Sequence, residues 1–440
     1  MNSHRRGTCP GILDPIPTGD GLLARLLPTG PLPIDTLVAL CDYAQAYGNG
    51  IVEVTQRGSL QFRGLSPASA PDFARTVIAL GLGAESGPPI LASPLMGLDA
   101  QECFDLCALL AALRAELTNQ PAVASIGPKV SVLIDGGGAL HLDSVPGDLR
   151  LQAGANSRLH VSIAGTAATS TSLGWVLLDH AVKVIVHLLA RIADRGTNAR
   201  ARDFANPADV QALRASLSSM LNDARPPTLR PPAEPIGLHP LNTGQLALGV
   251  ALAFGYTEAA VLKRLAQRAA ACDAKSIQTS PGRSLLIIGL DADAASELAA
   301  AAAAAGFLVR PDDPRRFVVA CAGAPACESA KLSTRELAPV IAEAARPFLD
   351  GSLTIHVSGC AKGCAHPGAA ALTFIGPNRL VVQGRAGDTP HGTTSVDNFI
   401  AGVSRLGVER QQSHNARDRS VDVVSRLGAT GVLAAMSTGT

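Results

Sequence analysis

The sequence predicts an α+β fold made by duplication of a half-molecule, and three observations carry that prediction. An L-x-T-G-x-L pattern occurs twice, at residues 27–32 and 241–246. An S-L-x3-G-L pattern also occurs twice, at 59–65 and 284–290. Both copies run in one order, a Gly-marked turn, an amphipathic helix and then a β-rich stretch. The anchors lie 214 residues apart (27 to 241) and 225 apart (59 to 284) in a chain of 440, so each copy heads about half of it.

In chain order, apolar residues recur at helical spacing over 34–47, and β-branched residues mark a strand over 51–62. A helix is expected over 101–117, with Cys103 and Cys107 one turn apart as packed residues. Strands over 129–134 and 139–142 flank a Gly136-Gly137-Gly138 turn. The apolar stretch 173–193 contains Asp179, His180, Lys183, His187 and Arg191, so it reads as a buried amphipathic helix rather than a membrane span. Pro226, Pro227, Pro231, Pro232 and Pro235 make residues 223–235 an extended linker. The second copy supplies a helix over 257–271 and a strand over 276–288, and alanine-rich residues 291–305 favour a helix. Strand-like residues 316–320 and 353–357 each lead into a cysteine-bearing turn, and the last two dozen residues are expected to be weakly ordered. The expected modules are 1–90, 91–222, 223–308 and 309–440.

Composition excludes several functions. Lys plus Arg is 37 and Asp plus Glu is 36, a net charge of +1, which argues against a polyanion-coating surface. Aromatics at 3% supply few stacking platforms for nucleic acid, so no nucleic acid and no membrane partner is expected. The start lacks the apolar run of a signal peptide, and a cytoplasmic protein is expected. Nine cysteines, an odd count, suit thiols or metal ligands better than a disulfide framework.

Four of the nine form Cys321-x5-Cys327 and Cys360-x3-Cys364, each pair just after a strand. Two such turns can bring four thiolates together, as a [4Fe–4S] cluster needs. Gly323, Ala324, Ala326, Gly359 and Gly363 leave room for backbone N–H groups to approach its sulfides. Structural zinc, with its usual C-x2-C or C-x4-C spacing, and plain packing are the alternatives. Cys9, Cys41, Cys103, Cys107 and Cys272 stand apart from this pattern.

The C-x5-C and C-x3-C pairs in a duplicated α+β chain resemble the sulfite/nitrite reductase superfamily. That resemblance implies two ferredoxin-like half-domains plus two α/β reductase-type modules around one tetrapyrrole site, beside a [4Fe–4S] cluster. The superfamily's Thr-x-Arg run is matched by Thr55-Gln56-Arg57, followed by Gln61-Phe62-Arg63, with an echo at Thr279-Ser280-Pro281-Gly282-Arg283. Its Pro-x-Lys-like turn is matched by Gly127-Pro128-Lys129-Val130, but Ser131 stands where sulfite reductases carry a second lysine. Arg5 to Gly11, Thr18 to Arg25, Ser93 to Asp99 and Val357 to Pro367 are similar to one branch, the precorrin-3B synthases of aerobic cobalamin biosynthesis.

That branch implies a monooxygenase acting on precorrin-3A, hydroxylating C20 and closing a γ-lactone with O2 and reducing equivalents. The bed that holds sirohaem in the reductases would hold the substrate, so no sirohaem is expected. A polycarboxylate needs fixed cations, and guanidinium forks suit carboxylates. Arg57 and Arg63, an even number apart on the expected strand, would share one face, with Leu60 and Phe62 turned to the core. With Arg25, Thr55, Lys129 and Arg283 they form the expected substrate-binding set. The branch also implies a mononuclear non-haem iron. His141-x-Asp143, His366, His180 and His187 are candidate ligands without an assignment, and the catalytic acid and base are not assigned. No G-x-G-x-x-G follows a strand, so NADH-derived electrons are expected through a separate electron-donor protein. The alternatives are a sirohaem-dependent sulfite or nitrite reductase and a non-enzymatic iron–sulfur carrier.

Overall fold

The computed structural model describes residues 10–83, 87–120, 126–222, 225–412 and 418–437. Among these, the strands form four sheets. The first has the order Ile16–Thr18, Gly21–Leu26, Leu60–Leu65, Ile51–Val54, Tyr256–Glu258. The third has the order Gly237–Pro240, Leu246–Ala251, Ser284–Leu290, Ser276–Ser280, Leu32–Pro33. One edge strand of each sheet therefore comes from the other copy of the repeat. Tyr256–Glu258 pairs antiparallel with Ile51–Val54, and Leu32–Pro33 with Ser276–Ser280.

Exchanged edges weld the two repeats into one core. Alternation along Leu60–Leu65 sends Leu60 and Phe62 inward, where they meet Leu37, Leu40 and Phe73 of the first copy and Leu262, Leu285 and Leu298 of the second. The helices Ile34–Tyr47 and Ala259–Ala271 pack together, and Lys263 pairs with Asp42 across them at 2.6 Å.

The second sheet runs Leu221–Asn222, Thr171–Leu177, Arg158–Gly165, Gly147–Ala153, Val132–Asp135, Ile90–Ala92. The fourth runs Val318–Ala320, Ile355–Ser358, Ala370–Ile375, Arg379–Gly384, Gly392–Thr393. Each has three parallel strands followed by antiparallel ones, so the duplication extends to these modules. Among the described residues no helix is long and apolar enough to cross a membrane.

Several expected elements differ. The strands expected over 51–62 and 276–288 are each a hairpin, broken by turns at 55–59 and 281–283. Gly58, Gly282 and Arg283 take left-handed φ values of 81°, 88° and 63° there. Residues 139–142 form no strand, because their donors go to carboxylates: Ala139 N–H to Asp99 Oδ2 (2.7 Å) and Leu142 N–H to Asp135 Oδ2 (3.1 Å). The helix expected from 101 starts at Cys107 and buries Leu109, Leu110, Leu113 and Leu117; Cys103 and Cys107 are exposed rather than packed. Far from being weakly ordered, Ser420–Met436 is helical and buries Val423, Val424, Val432 and Met436 against the fourth sheet.

Residues 225–235 are an extended linker without helix or strand, pinned by Arg230. Its guanidinium reaches Asp135 Oδ2 (2.5 Å) and Asp143 Oδ1 (2.6 Å), both carboxylates nearly or fully buried. Burial alone would raise the Asp143 carboxyl, but the Arg230 bond and charge outweigh it and hold it below the usual range. A depressed folded value stabilises the protein at higher pH, and that stability is lost as pH falls through it. Arg230→Met strands two buried anions and is expected to cost about 3 kcal/mol at pH 7 in urea unfolding. The deficit should shrink as the pH falls through the depressed value of Asp143, where protonation removes an anion that Arg230 holds.

Candidate active site

The two repeat hairpins meet tip to tip. Gly282 N–H donates to Gln56 O at 3.1 Å, and a Cβ on Gly58 would lie 3.1 Å from the Ser280 carbonyl carbon. Thr55 Oγ1 accepts from Ser59 N–H at 3.0 Å, fixing the turn that presents Arg57. Arg57 Nη2 donates to Ser131 Oγ at 3.0 Å. A lysine at 131 would set a like charge against that guanidinium. Arg283 leaves the opposite turn, passes Gly255, whose Cβ would sit 2.6 Å from its Cδ, and donates to Ala365 O at 3.1 Å.

Between them lies a cavity of about 400 Å³ whose walls include Arg25, Thr55, Arg57, Arg63, Arg283, Tyr256, Arg335, Cys321 and Cys364. Arg57 also borders two adjoining hollows of about 250 Å³ each, one reaching Arg114 and the other His141 and Arg316. Of the six expected substrate residues, five line the central cavity. Lys129 does not: it is exposed in the turn before Val132–Asp135.

The cavity floor is the face of the first sheet opposite Leu60 and Phe62. Arg25, Gln61, Glu53 and Tyr256 stand opposite one another on four neighbouring strands. With its amide oriented to suit both neighbours, Gln61 donates to Glu53 Oε2 (2.8 Å) and accepts from Arg25 (2.7 and 3.0 Å). Glu53 also binds Arg335, whose guanidinium lies 4.6 Å from the Tyr256 ring centre. On the equivalent face of the third sheet Ala247, Leu286 and Ile288 pack on Leu95 and Leu140, and Gln278, opposite Leu286, stands where the first sheet has Glu53. Among the described residues the charged row of Arg25 and Glu53 thus belongs to the first sheet.

Arg57 and Arg63 do not share a strand face, since Arg57 sits in the hairpin turn. Arg63, 4% exposed, borders the cavity but is committed to Asp20, by Nε at 3.0 Å and Nη2 at 2.9 Å, and to Ala326 O at 2.7 Å.

The cysteine loops leave the C-terminal ends of the adjacent parallel strands Val318–Ala320 and Ile355–Ser358. Gly359 N–H donates to Cys321 Sγ at 3.2 Å, joining the second turn to the first. Partial burial, then the charges of Cys360, Cys321 and Cys327, push the Cys364 thiol up, so the four thiols share one locality. Thiolates this close repel unless cations neutralise them, and the donor set is the soft sulfur that iron–sulfur clusters take. A Cβ on Gly359 would come within 2.6 Å of Ala330, so only glycine lets that N–H reach the sulfur. Below the second turn, fully buried His356 has neither ring nitrogen hydrogen-bonded, and burial followed by its charged neighbours lowers it to about 4, leaving it neutral. These residues fit an iron–sulfur cluster.

Among the described residues, one group of three His, Cys, Asp or Glu brings its ligand atoms within 4.8 Å, Asp135, His141 and Asp143. It does not fit an iron. Arg230 holds both carboxylates, and His141 Nε2 lies 2.8 Å from Pro231 O. His366 contacts Ala369 O (3.2 Å) and His187 contacts Ser216 Oγ (2.9 Å); neither His180, His187 nor His366 belongs to such a group.

Glu53, Gln61, Tyr256 and Arg335 are absent from the sequence-based set. The alternation Ile51-Val52-Glu53-Val54 and Leu60-Gln61-Phe62-Arg63 marked the first two, whereas Tyr256 and Arg335 arrive only through the exchanged strand and the helix after the first cysteine loop.

The turn at Gly19 lies tight against the first cysteine loop. A Cβ on Gly19 would lie 2.3 Å from Pro325 O and 3.1 Å from Cys327 N. Gly19→Ala is expected to cost about 1–3 kcal/mol and to lower the thermal midpoint, read by circular dichroism.

Comparison with known proteins bears on this geometry. Residues 15–80 match the nitrite/sulfite reductase ferredoxin-like half domain. The chain is 37% identical to a precorrin-3B synthase from Sinorhizobium sp., over 99% of this chain and 96% of that one. It is 25% identical to a ferredoxin–nitrite reductase of Synechococcus elongatus, over 80% and 76% of the two chains. The solved structure of the Mycobacterium tuberculosis NirA protein superposes with a TM-score of 0.77 at 19% identity, covering 93% of this chain and 84% of that one.

Proposed function

The chain belongs to the precorrin-3B synthase family, and we propose that it hydroxylates precorrin-3A at C20 and closes the γ-lactone, using O2 and reducing equivalents. The observation that carries this reading is the polar bed, where cations of both repeats line one cavity that also reaches two of the four cysteines. In this reading Arg25, Arg57 and Arg283 receive substrate carboxylates through their planar forks. Thr55 aims Arg57 by holding its turn, and Arg63 supports the bed from beneath. Lys129 takes no part, being outside the cavity.

The protein binds an iron–sulfur cluster, as its nitrite and sulfite reductase relatives imply. Cys321, Cys327, Cys360 and Cys364 would hold it as [4Fe–4S], a group that supplies electrons singly. The bed takes the substrate, so no sirohaem is expected. Electrons derived from NADH come through a separate donor protein, and the work is cytoplasmic. The mononuclear iron that the resemblance calls for has no fitting ligand set in the Asp135 group, whose carboxylates Arg230 holds. The reading divides the chain near residues 90, 222 and 308 into four modules around the bed.

Anaerobic purification with iron and sulfide counts and an absorption spectrum tests it. At least about four irons with a broad cluster absorption are expected. A Soret band with a band in the red would instead establish a sirohaem-dependent sulfite or nitrite reductase.

A further inference from the structure

We propose that Arg63 and the Thr18-Gly19-Asp20-Gly21 turn form a clamp from the first sheet onto the first cysteine loop, and that the buried charge of Arg63 raises the reduction potential of the cluster held there. The inference rests on reading the four cysteines as cluster ligands.

The clamp closes over a long sequence separation. Arg63 Nη2 donates to Ala326 O at 2.7 Å, the residue before Cys327. Gly19 N–H donates to the same oxygen at 3.2 Å. Asp20 takes both forks of Arg63 and is itself fixed by Thr18 Oγ1 (2.9 Å) and Asn49 Nδ2 (3.0 Å). Gly19 must be glycine for the turn to lie flat on the loop, since a Cβ would strike Pro325 O. Glu53 stands 3.6 Å from Arg63 Nη1, so the guanidinium faces two carboxylates and the cysteine loop with 4% of its surface exposed.

Burying a cation this completely is costly unless every neighbour uses it. Two carboxylates would suffice for a simple brace. Arg63 instead spends its shortest bond on the backbone beside a cysteine. A fixed positive charge in a poorly screened interior favours the more negative, reduced state of a nearby redox group. The charge and the loop placement therefore act on the same cysteine.

The cluster-loaded full chain, purified anaerobically, is titrated potentiometrically and followed by electron paramagnetic resonance. Arg63→Met is expected to lower the midpoint by about 59 mV, a tenfold change in the one-electron equilibrium. Asp20→Asn breaks the same clamp but removes a negative charge, and should raise the midpoint. Arg63→Lys keeps the charge without the fork and should stay near the wild-type value. If Arg63→Met loses its iron, a raised midpoint in Asp20→Asn beside an unshifted Arg63→Lys decides the matter. Shifts of one sign in all variants, or no shift, would leave a structural brace only and overturn the proposal. A wild-type protein without iron or signal would sink the cluster reading itself, which the first measurement of the series distinguishes.

Discussion

Cys360→Ser is expected to strip most of the iron and sulfide from the proposed cluster site and to cut turnover steeply, while leaving tetrapyrrole binding within a few-fold of wild type. Cys360 opens the second cysteine turn at the end of Ile355–Ser358, where Ser358 Oγ donates to its carbonyl at 2.7 Å. A serine oxygen is a hard donor and a poor match for cluster iron, so three thiolates are left to hold a four-cornered group. The bed contributes its own cations from the first and third sheets and does not depend on that sulfur. Iron and sulfide should fall by more than half, with turnover down by roughly a thousandfold or more, because in the proposed reading electrons reach the substrate through the cluster. Iron counting beside an anaerobic precorrin-3A titration checks both halves of the statement.

The converse experiment separates the bed from the cluster. A double Arg25→Ala, Arg57→Ala variant should keep its iron and lose substrate affinity. Each guanidinium–carboxylate contact is worth about 1.5–3 kcal/mol, roughly ten- to a hundredfold in affinity. Together they should weaken binding by about a hundred- to ten-thousandfold, less than additively because Arg25 is coupled through Gln61 to Glu53. Arg57→Lys should recover little, since an ammonium cannot make the paired bonds of the fork. Unchanged affinity in the double variant would remove both arginines from the bed.

Sequence patterns made some of this legible and hid the rest for definable reasons. The helix expected over 34–47 forms as Ile34–Tyr47, because its apolar spacing and the flanking Pro33 and Gly48 agree. The inward turn of Leu60 and Phe62 follows from period-two alternation. Hairpin turns were hidden inside Thr55-Gln56-Arg57-Gly58-Ser59, where a single glycine with a left-handed φ reverses the chain. That reversal is why Arg57 and Arg63 take different roles, one at the tip facing the second repeat and one beneath it. Strand exchange is invisible to local pattern: Tyr256 reaches Glu53 across 203 residues (256 − 53) only because the repeats swap edges. Ser420–Met436 escaped notice since Gly428, at φ 60°, interrupts its apolar period.

The central claim is that one polar bed beside the cysteine loops presents a tetrapyrrole to oxygen chemistry. Incubating the iron-loaded chain with precorrin-3A, a chemical reductant and 18O2, then recording the product mass, tests it most directly. A product carrying one labelled oxygen atom, and blocked by Arg57→Ala, is expected. Unchanged precorrin-3A together with reduction of sulfite or nitrite by the same preparation would contradict it.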